Sequence, residues 1–181
     1  IYFHLSNHFS NIAIKFGYNQ KLIDMTEVEI YLSARYDFTT DTDMGGFSYV
    51  LKSDTYSSTG KGSYFRTSEN RMLMMACIEA MKDAYKNIGP VIKVNIHVKN
   101  TEIIASLVYS HCKKFKNYPN QDLVKQGLKF FRHSSFDIIY MDDNGSEEMK
   151  LADELAKEAL IDPNRLQDIL DFRRSLATPL F

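Results

Sequence analysis

From Val28 onward, apolar Val28, Ile30, Leu32 and Ala34 alternate with Glu29, Tyr31, Ser33 and Arg35. A period of two predicts a strand with one apolar face. Asp37–Asp43 is polar and threonine-rich and predicts a loop, after which Gly45-Gly46 leads into FSYVL, a β-branched and aromatic run that predicts a second strand. Ser53–Gly62 is rich in Ser, Thr, Gly and Asp and reads as a connection, with Ser63–Arg66 returning as a short third strand. Thr67-Ser68-Glu69-Asn70 supplies helix-capping residues. A helical pattern follows through Met72, Met75, Ala76, Ile78, Ala80 and Met81, and Asn87-Ile88-Gly89-Pro90 stops it. Alternation resumes over Val91–Val98 as a fourth strand.

A helix through Ile103, Ile104, Leu107 and Val108 then leads to a basic stretch, His111–Pro119, and to another helix over Asp122–His133. Phe136–Met141 predicts strand five, Asp142-Asp143-Asn144-Gly145 a turn, and Ser146 the cap of a helix from Glu147 to about Leu160. Acidic Glu147 and Glu148 fall in its first turn, where the helix dipole favours anions. Asp162-Pro163 breaks that helix, and a last one is expected with Leu166, Ile169, Leu170 and Arg173 on one side.

This order predicts an α/β fold: a five-stranded mixed sheet, three antiparallel strands followed by two parallel ones, with helices on both faces. Residues 1–24 lack strong periodicity and read as an N-terminal extension with Met25 as the natural start, 25–161 as the folded domain, and 162–181 as a helical tail. The 181 residues are 44% hydrophobic and 25% charged, a globular composition able to close one core. No apolar run reaches the roughly 18 residues of a membrane span, so no membrane partner is expected. Cys77 and Cys112 lack framework spacing and read as buried thiols, in keeping with a cytoplasmic protein. The histidines His4, His8, His97, His111 and His133 are scattered without zinc-ligand spacing. Met72, Met74, Met75 and Met81 read as core filler. A net charge of −1 gives no global attraction to polyanions, so any nucleic-acid contact must be local.

Five strings, in order, resemble the type 1 ribonuclease H family: VEIYLS and GGFSYVL its first two strands, TSENRMLMMACIEAM its first helix, VNIHVKNTEII its fourth strand with the following helix, and LADELAKEAL its closing helix. The resemblance spans about Val28 to Leu160 and implies a ribonuclease H-like fold. It also implies metal-assisted cleavage of RNA in an RNA–DNA hybrid, for which the family gathers four carboxylates around Mg²⁺. Matched position by position, those carboxylates fall on Ser33, Leu73, Lys99 and Asp153. Asp153 is the only one retained. Serine is a weak neutral ligand, leucine is none, and a lysine ammonium sets positive charge where the cation should sit. The family's histidine loop falls on Asp142–Glu148, which has no histidine.

The expected function is therefore a non-catalytic, ribonuclease H-like nucleic-acid-binding or assembly module, in which Lys99 pairs with Asp153 and stands in for the missing metal. No cofactor is then needed. The alternative is an active ribonuclease H with a rearranged Mg²⁺ site built from Asp37, Glu69 and Asp153. Glu69 shares a helix face with Leu73 one turn earlier, and Asp37 keeps the parity of Ser33. Candidate contacts to an RNA–DNA hybrid or other nucleic acid are Asn70 and Arg71, which match the family's N-R pair, and Lys113, Lys114 and Lys116, interleaved with Phe115 and Tyr118. Binding through them should be weak. Assembly on a protein partner or as a homo-oligomer is the other use of such a scaffold.

Overall fold

The strand alternation sorts β1 (Thr26–Asp37) onto two faces, with Val28, Ile30 and Leu32 buried on one and Glu29, Tyr31, Ser33 and Arg35 set on the other. The computed structural model describes residues 26–39, 43–89, 92–99, 120–131, 135–137, 145–164 and 166–167. Around β1 the elements are β2 (Met44–Lys52), β3 (Ser57–Phe65), α1 (Glu69–Asn87), β4 (Ile92–Val98), α2 (Gln121–Phe131), β5 (Ser135–Asp137), α3 (Glu147–Leu160) and β6 (Leu166–Gln167). Their sheet runs β5-β4-β1-β2-β3-β6. The pairs β1–β2 and β2–β3 are antiparallel, whereas β4 lies parallel to β1 and β5 parallel to β4. The mixed α/β architecture expected from the element order is present.

Three expectations need correction. Strand three begins at Ser57 instead of Ser63, because its glycines face aromatic partners. Gly60 lies opposite Tyr49 and Gly62 opposite Phe47, and a Cβ on either would come within 2.3 and 2.5 Å of those rings. Low side-chain bulk therefore served packing rather than a turn. Second, the chain after Pro163 does not open directly into a helix: Leu166–Gln167 pairs parallel with Tyr64 and Phe65 as a sixth strand. A two-residue edge pairing leaves no hydrophobic period to detect. Third, β1 runs through Asp37, which was read as the start of a loop. The helix expected around Ile103–Val108, the histidines other than His97, Cys112, and the segments 1–24 and 168–181 lie outside the described residues.

The core lies between the sheet and α1. Val28, Ile30, Leu32, Phe47, Leu51, Val94 and Ile96 meet Met72, Ala76, Cys77, Ile78, Ala80 and Met81, with Leu123 and Val124 of α2 behind. Full burial of such side chains contributes about 1.5–3 kcal/mol each, and the methionines are core filler as expected. Burial pushes the free Cys77 thiol up to about 12, so it is an inert packing group. Ser68 caps α1, accepting from the Arg71 backbone N–H, and Ser146 caps α3 through Met149. Helix α3 covers the opposite sheet face: Ser48 Oγ donates to the Ala152 carbonyl at 2.5 Å. A Cβ on Gly46 would stand 2.6 Å from backbone atoms of Ala156 and Leu160, so only glycine permits this approach. Among the described residues no helix is long and apolar enough to cross a membrane.

Asp83 ties α1 to β2 and β3, accepting from Tyr49 (3.0 Å), Tyr56 (2.9 Å), Ser58 (2.5 Å) and Asn87 (2.5 Å). Burial pushes its carboxyl up, but these four donors outweigh burial and hold it below its usual range. A carboxyl lowered in the folded state adds stability above its unfolded pKa, about 3.9, and that contribution is lost as pH falls through the folded value. Thermal melts should therefore show Tm falling below about pH 4, and Asp83→Asn should lower Tm at neutral pH while flattening part of the acid limb. An acid limb unchanged from the parent would rule out this linkage.

Candidate functional site

Ser33 and Arg35 share one face of β1 by strand parity, and the parallel register that sets Leu32 beside Val98 brings Lys99, the next residue of the chain, alongside them. Helix α3 lays Asp153 across this corner, because Ser48 and Gly46 let its backbone descend onto β2. The Asp153 carboxylate accepts from three donors: Ser33 Oγ at 2.5 Å on Oδ1, and Arg35 Nη2 at 3.1 Å and Lys99 Nζ at 2.5 Å, both on Oδ2. Its side chain is 16% exposed, against 41% for Arg35 and 40% for Lys99, so the acid is held inside and the cations reach solvent. Burial pushes its carboxyl up, and the hydrogen bonds from Lys99 and Ser33 with the charges of Arg35 and Lys99 more than reverse this, leaving it below the usual range.

These residues line a cleft of about 90 Å³ whose floor is Leu32, Leu73 and Val98 and whose wall includes Glu69. Thus Ser33, Leu73, Lys99 and Asp153, far apart in sequence, converge, and the expected Lys99–Asp153 ion pair is present. Arg35 was not singled out from sequence. Its signal was the same two-residue parity that marks Ser33.

The donor set does not fit a hydrated divalent cation. Mg²⁺ requires hard oxygen ligands in an octahedron, whereas the cleft offers the Asp153 carboxylate already accepting three bonds, a hydroxyl donating to it, two cations, and Glu69 as its one other carboxylate. The rearranged trio does not assemble either. Asp37 accepts from the Thr39 backbone N–H at 2.8 Å and from its hydroxyl at 2.5 Å, closing a local turn away from the cleft. Its parity matched Ser33, but β1 carries it four residues farther along. Among the described residues no group of three or more His, Cys, Asp or Glu side chains is arranged to hold a metal ion.

Arg71 also departs from its expected role as a nucleic-acid contact. Its side chain is 4% exposed and staples α1 to α2, donating to Asn120 at 3.1 Å and to both Asp122 oxygens at 3.3 and 3.1 Å. A guanidinium held this way is turned from solvent and packs two helices together. Its neighbour Asn70 is exposed at the start of α1 and is free to face a ligand. Lys113, Lys114, Lys116, Phe115 and Tyr118 lie outside the described residues.

A second polar cluster continues along the same sheet face. His97 contacts Glu29 and stacks on Tyr31, with ring centroids 4.3 Å apart, and Asn95 Nδ2 donates to Glu27 at 2.7 Å and Glu29 at 2.6 Å. Sequence reasoning missed it, since these partners meet only through the β1–β4 register.

Loss of one donor should leave Asp153 two others. Urea unfolding of Lys99→Ala should show a cost of about 0–1 kcal/mol, the range of solvent-exposed pairs. Asp153→Ala strands two cations and a hydroxyl against each other and should cost about 1–3 kcal/mol. Equal costs would show that the ammonium, rather than the hydroxyl and guanidinium, holds the carboxylate.

No family model matches the chain. Ribonuclease H of Campylobacter jejuni subsp. jejuni is 28% identical over 145 residues, 80% of this chain and 98% of that protein. Among solved structures, RNase H1 from the halophilic archaeon Halobacterium salinarum superposes with a TM-score of 0.57 at 16% identity, over 74% of this chain and 97% of that one. LC11-RNase H1, solved in complex with an RNA/DNA hybrid, superposes with a TM-score of 0.54 at 17% identity, over 74% of this chain and 96% of that one. Fold, element order and this sequence relationship agree: the chain has a ribonuclease H-like fold and is similar in sequence to a ribonuclease H.

Proposed function

We propose that the chain is a non-catalytic ribonuclease H-like module that binds nucleic acid, with an RNA–DNA hybrid as its first candidate ligand. The observation that carries this reading is the pairing of both Lys99 and Arg35 with Asp153. Two cations on one oxygen satisfy the charge that a metal ion would otherwise balance, and their repulsion opposes a divalent cation at the same point. The hybrid bound by LC11-RNase H1 supports the choice of ligand. The basic stretch with Lys113, Lys114 and Lys116 supplies phosphate contacts without sequence preference, and exposed Asn70 adds a polar contact at the start of α1. The buried, free Cys77 supports a reducing, cytoplasmic setting.

A metal-dependent nuclease is the competing reading, and one observation favours it: Glu69 and Asp153 line the same cleft. Two carboxylates, one already bound by three donors, are a poor cage for two Mg²⁺ ions.

A labelled RNA–DNA hybrid incubated with Mg²⁺ or Mn²⁺ should remain uncut, while filter binding on the same substrate detects complex formation. Binding should depend steeply on salt, and replacing Lys113, Lys114 and Lys116 together by alanine should remove about 2 to 3 units of log–log slope. Millimolar Mg²⁺ should leave Tm unmoved, because an ion that does not bind the native state does not stabilise it. Efficient cleavage lost in Glu69→Ala would establish the nuclease instead.

A further inference from the structure

We infer that the cleft between β1, β4 and α3 takes a phosphate oxyanion directly on Arg35 and Lys99, with no metal ion between. The inference rests on the reading of the chain as a nucleic-acid-binding module and specifies how that site engages its ligand. Its basis is a surplus of donors. Both Asp153 oxygens are occupied, Oδ1 by Ser33 and Oδ2 by Arg35 and Lys99. One carboxylate neutralises one of the two cations, so the trio keeps a net positive charge.

An ammonium carries three N–H donors and a guanidinium five. Lys99 directs one to Asp153 and is 40% exposed, leaving donors for a ligand. In Arg35 the Nη2 serves Asp153, whereas Nε is buried with no partner among the described residues. A buried donor without an acceptor is a destabilised group unless something fills the gap. Arg35 and Lys99 both line the cleft, whose floor of Leu32, Leu73 and Val98 excludes water from one side and strengthens charge-assisted bonds. The guanidinium fork matches a phosphate geometrically, and the ammonium acts beside it as a point charge.

Leu73 adds to the case, since a carboxylate at that position would repel an anion from the floor. Glu69 is the one opposing charge on the wall, and it stands exposed in the first turn of α1, where water screens it. The chemistry that fits is a phosphate group, in the backbone of a nucleic acid or as free phosphate.

The test follows the Arg35 Nε–H resonance of ¹⁵N-labelled full-length protein, in EDTA, during titration with an RNA–DNA hybrid oligonucleotide and separately with inorganic phosphate. The expected result is a saturable shift with the hybrid and a weaker one with phosphate. In filter binding, the double variant Arg35→Gln, Lys99→Gln should show a salt slope shallower by about 1.8, two contacts at about 0.9 each. Glu69→Gln should bind more tightly than the parent, an effect that a merely structural role for the cations would not produce. Thermal melts confirm that each variant is folded. Should the hybrid bind with the Arg35 signal unmoved and the slope of the double variant unchanged, the cleft inference fails and the binding-module reading survives on the basic stretch. Should phosphate shift the signal while the hybrid binds nowhere, the cleft inference stands and the nucleic-acid reading fails. A signal unmoved by either probe overturns the inference.

Discussion

The Asp153 carboxylate joins three elements of the fold at one point. Ser33 and Arg35 reach it from β1, Lys99 from the end of β4, and the acid itself rides on α3. Because it is mostly buried, its charge is compensated by local donors rather than by water, and burial alone would raise its pKa. The observed lowering means that the donors outweigh desolvation. Everything proposed for the cleft depends on this balance, since an acid already supplied with protein cations has no demand for a metal ion.

That balance needs α3 close to the sheet. Gly46 removes the Cβ that would strike the Ala156 carbonyl and Leu160, and Ser48 fills the contact with a bond to the Ala152 carbonyl. Lys52 holds Glu148 near the start of the helix, and Lys61 meets Glu158 at 2.7 Å near its end. These two pairs are solvent-facing and contribute little energy, but they agree with the register that the small residues impose. On the opposite face the methionine-rich side of α1 fills the core, and Arg71 locks α2 against it. Rigid packing on both faces keeps the cleft residues in place.

Polarity on the α3 face is not confined to the cleft. Glu29, His97 and Asn95 continue the row toward the other end of the β1–β4 pair. A sheet face carrying this many partnered polar groups is held in register twice, by the backbone ladder and by side chains across it. The cleft thus sits at the end of a strip whose geometry is set before any ligand arrives.

Much of the architecture was legible in the chain itself. Alternation from Val28 marked β1, capping serines marked the starts of α1 and α3, and the order of elements implied parallel pairing of β4 with β1, because these signals are local and repeat along the chain. Position-by-position resemblance located Ser33, Leu73, Lys99 and Asp153, residues 120 positions apart at the extremes of their closest contact. The remainder arises from contacts across elements, which no local period encodes. Gly60 and Gly62 looked like turn residues until the rings of Tyr49 and Phe47 gave them a packing role. Arg71 looked like a ligand contact until Asp122 claimed it, and Asp37 shared the parity of Ser33 while its oxygen turned to Thr39. Sequence alone determined the fold class and pointed to Ser33, Leu73, Lys99 and Asp153 as the positions to compare. Only the tertiary structure decided that Arg35 joins Lys99 on Asp153, because strand register and helix approach, both long-range, set the distance between their charges.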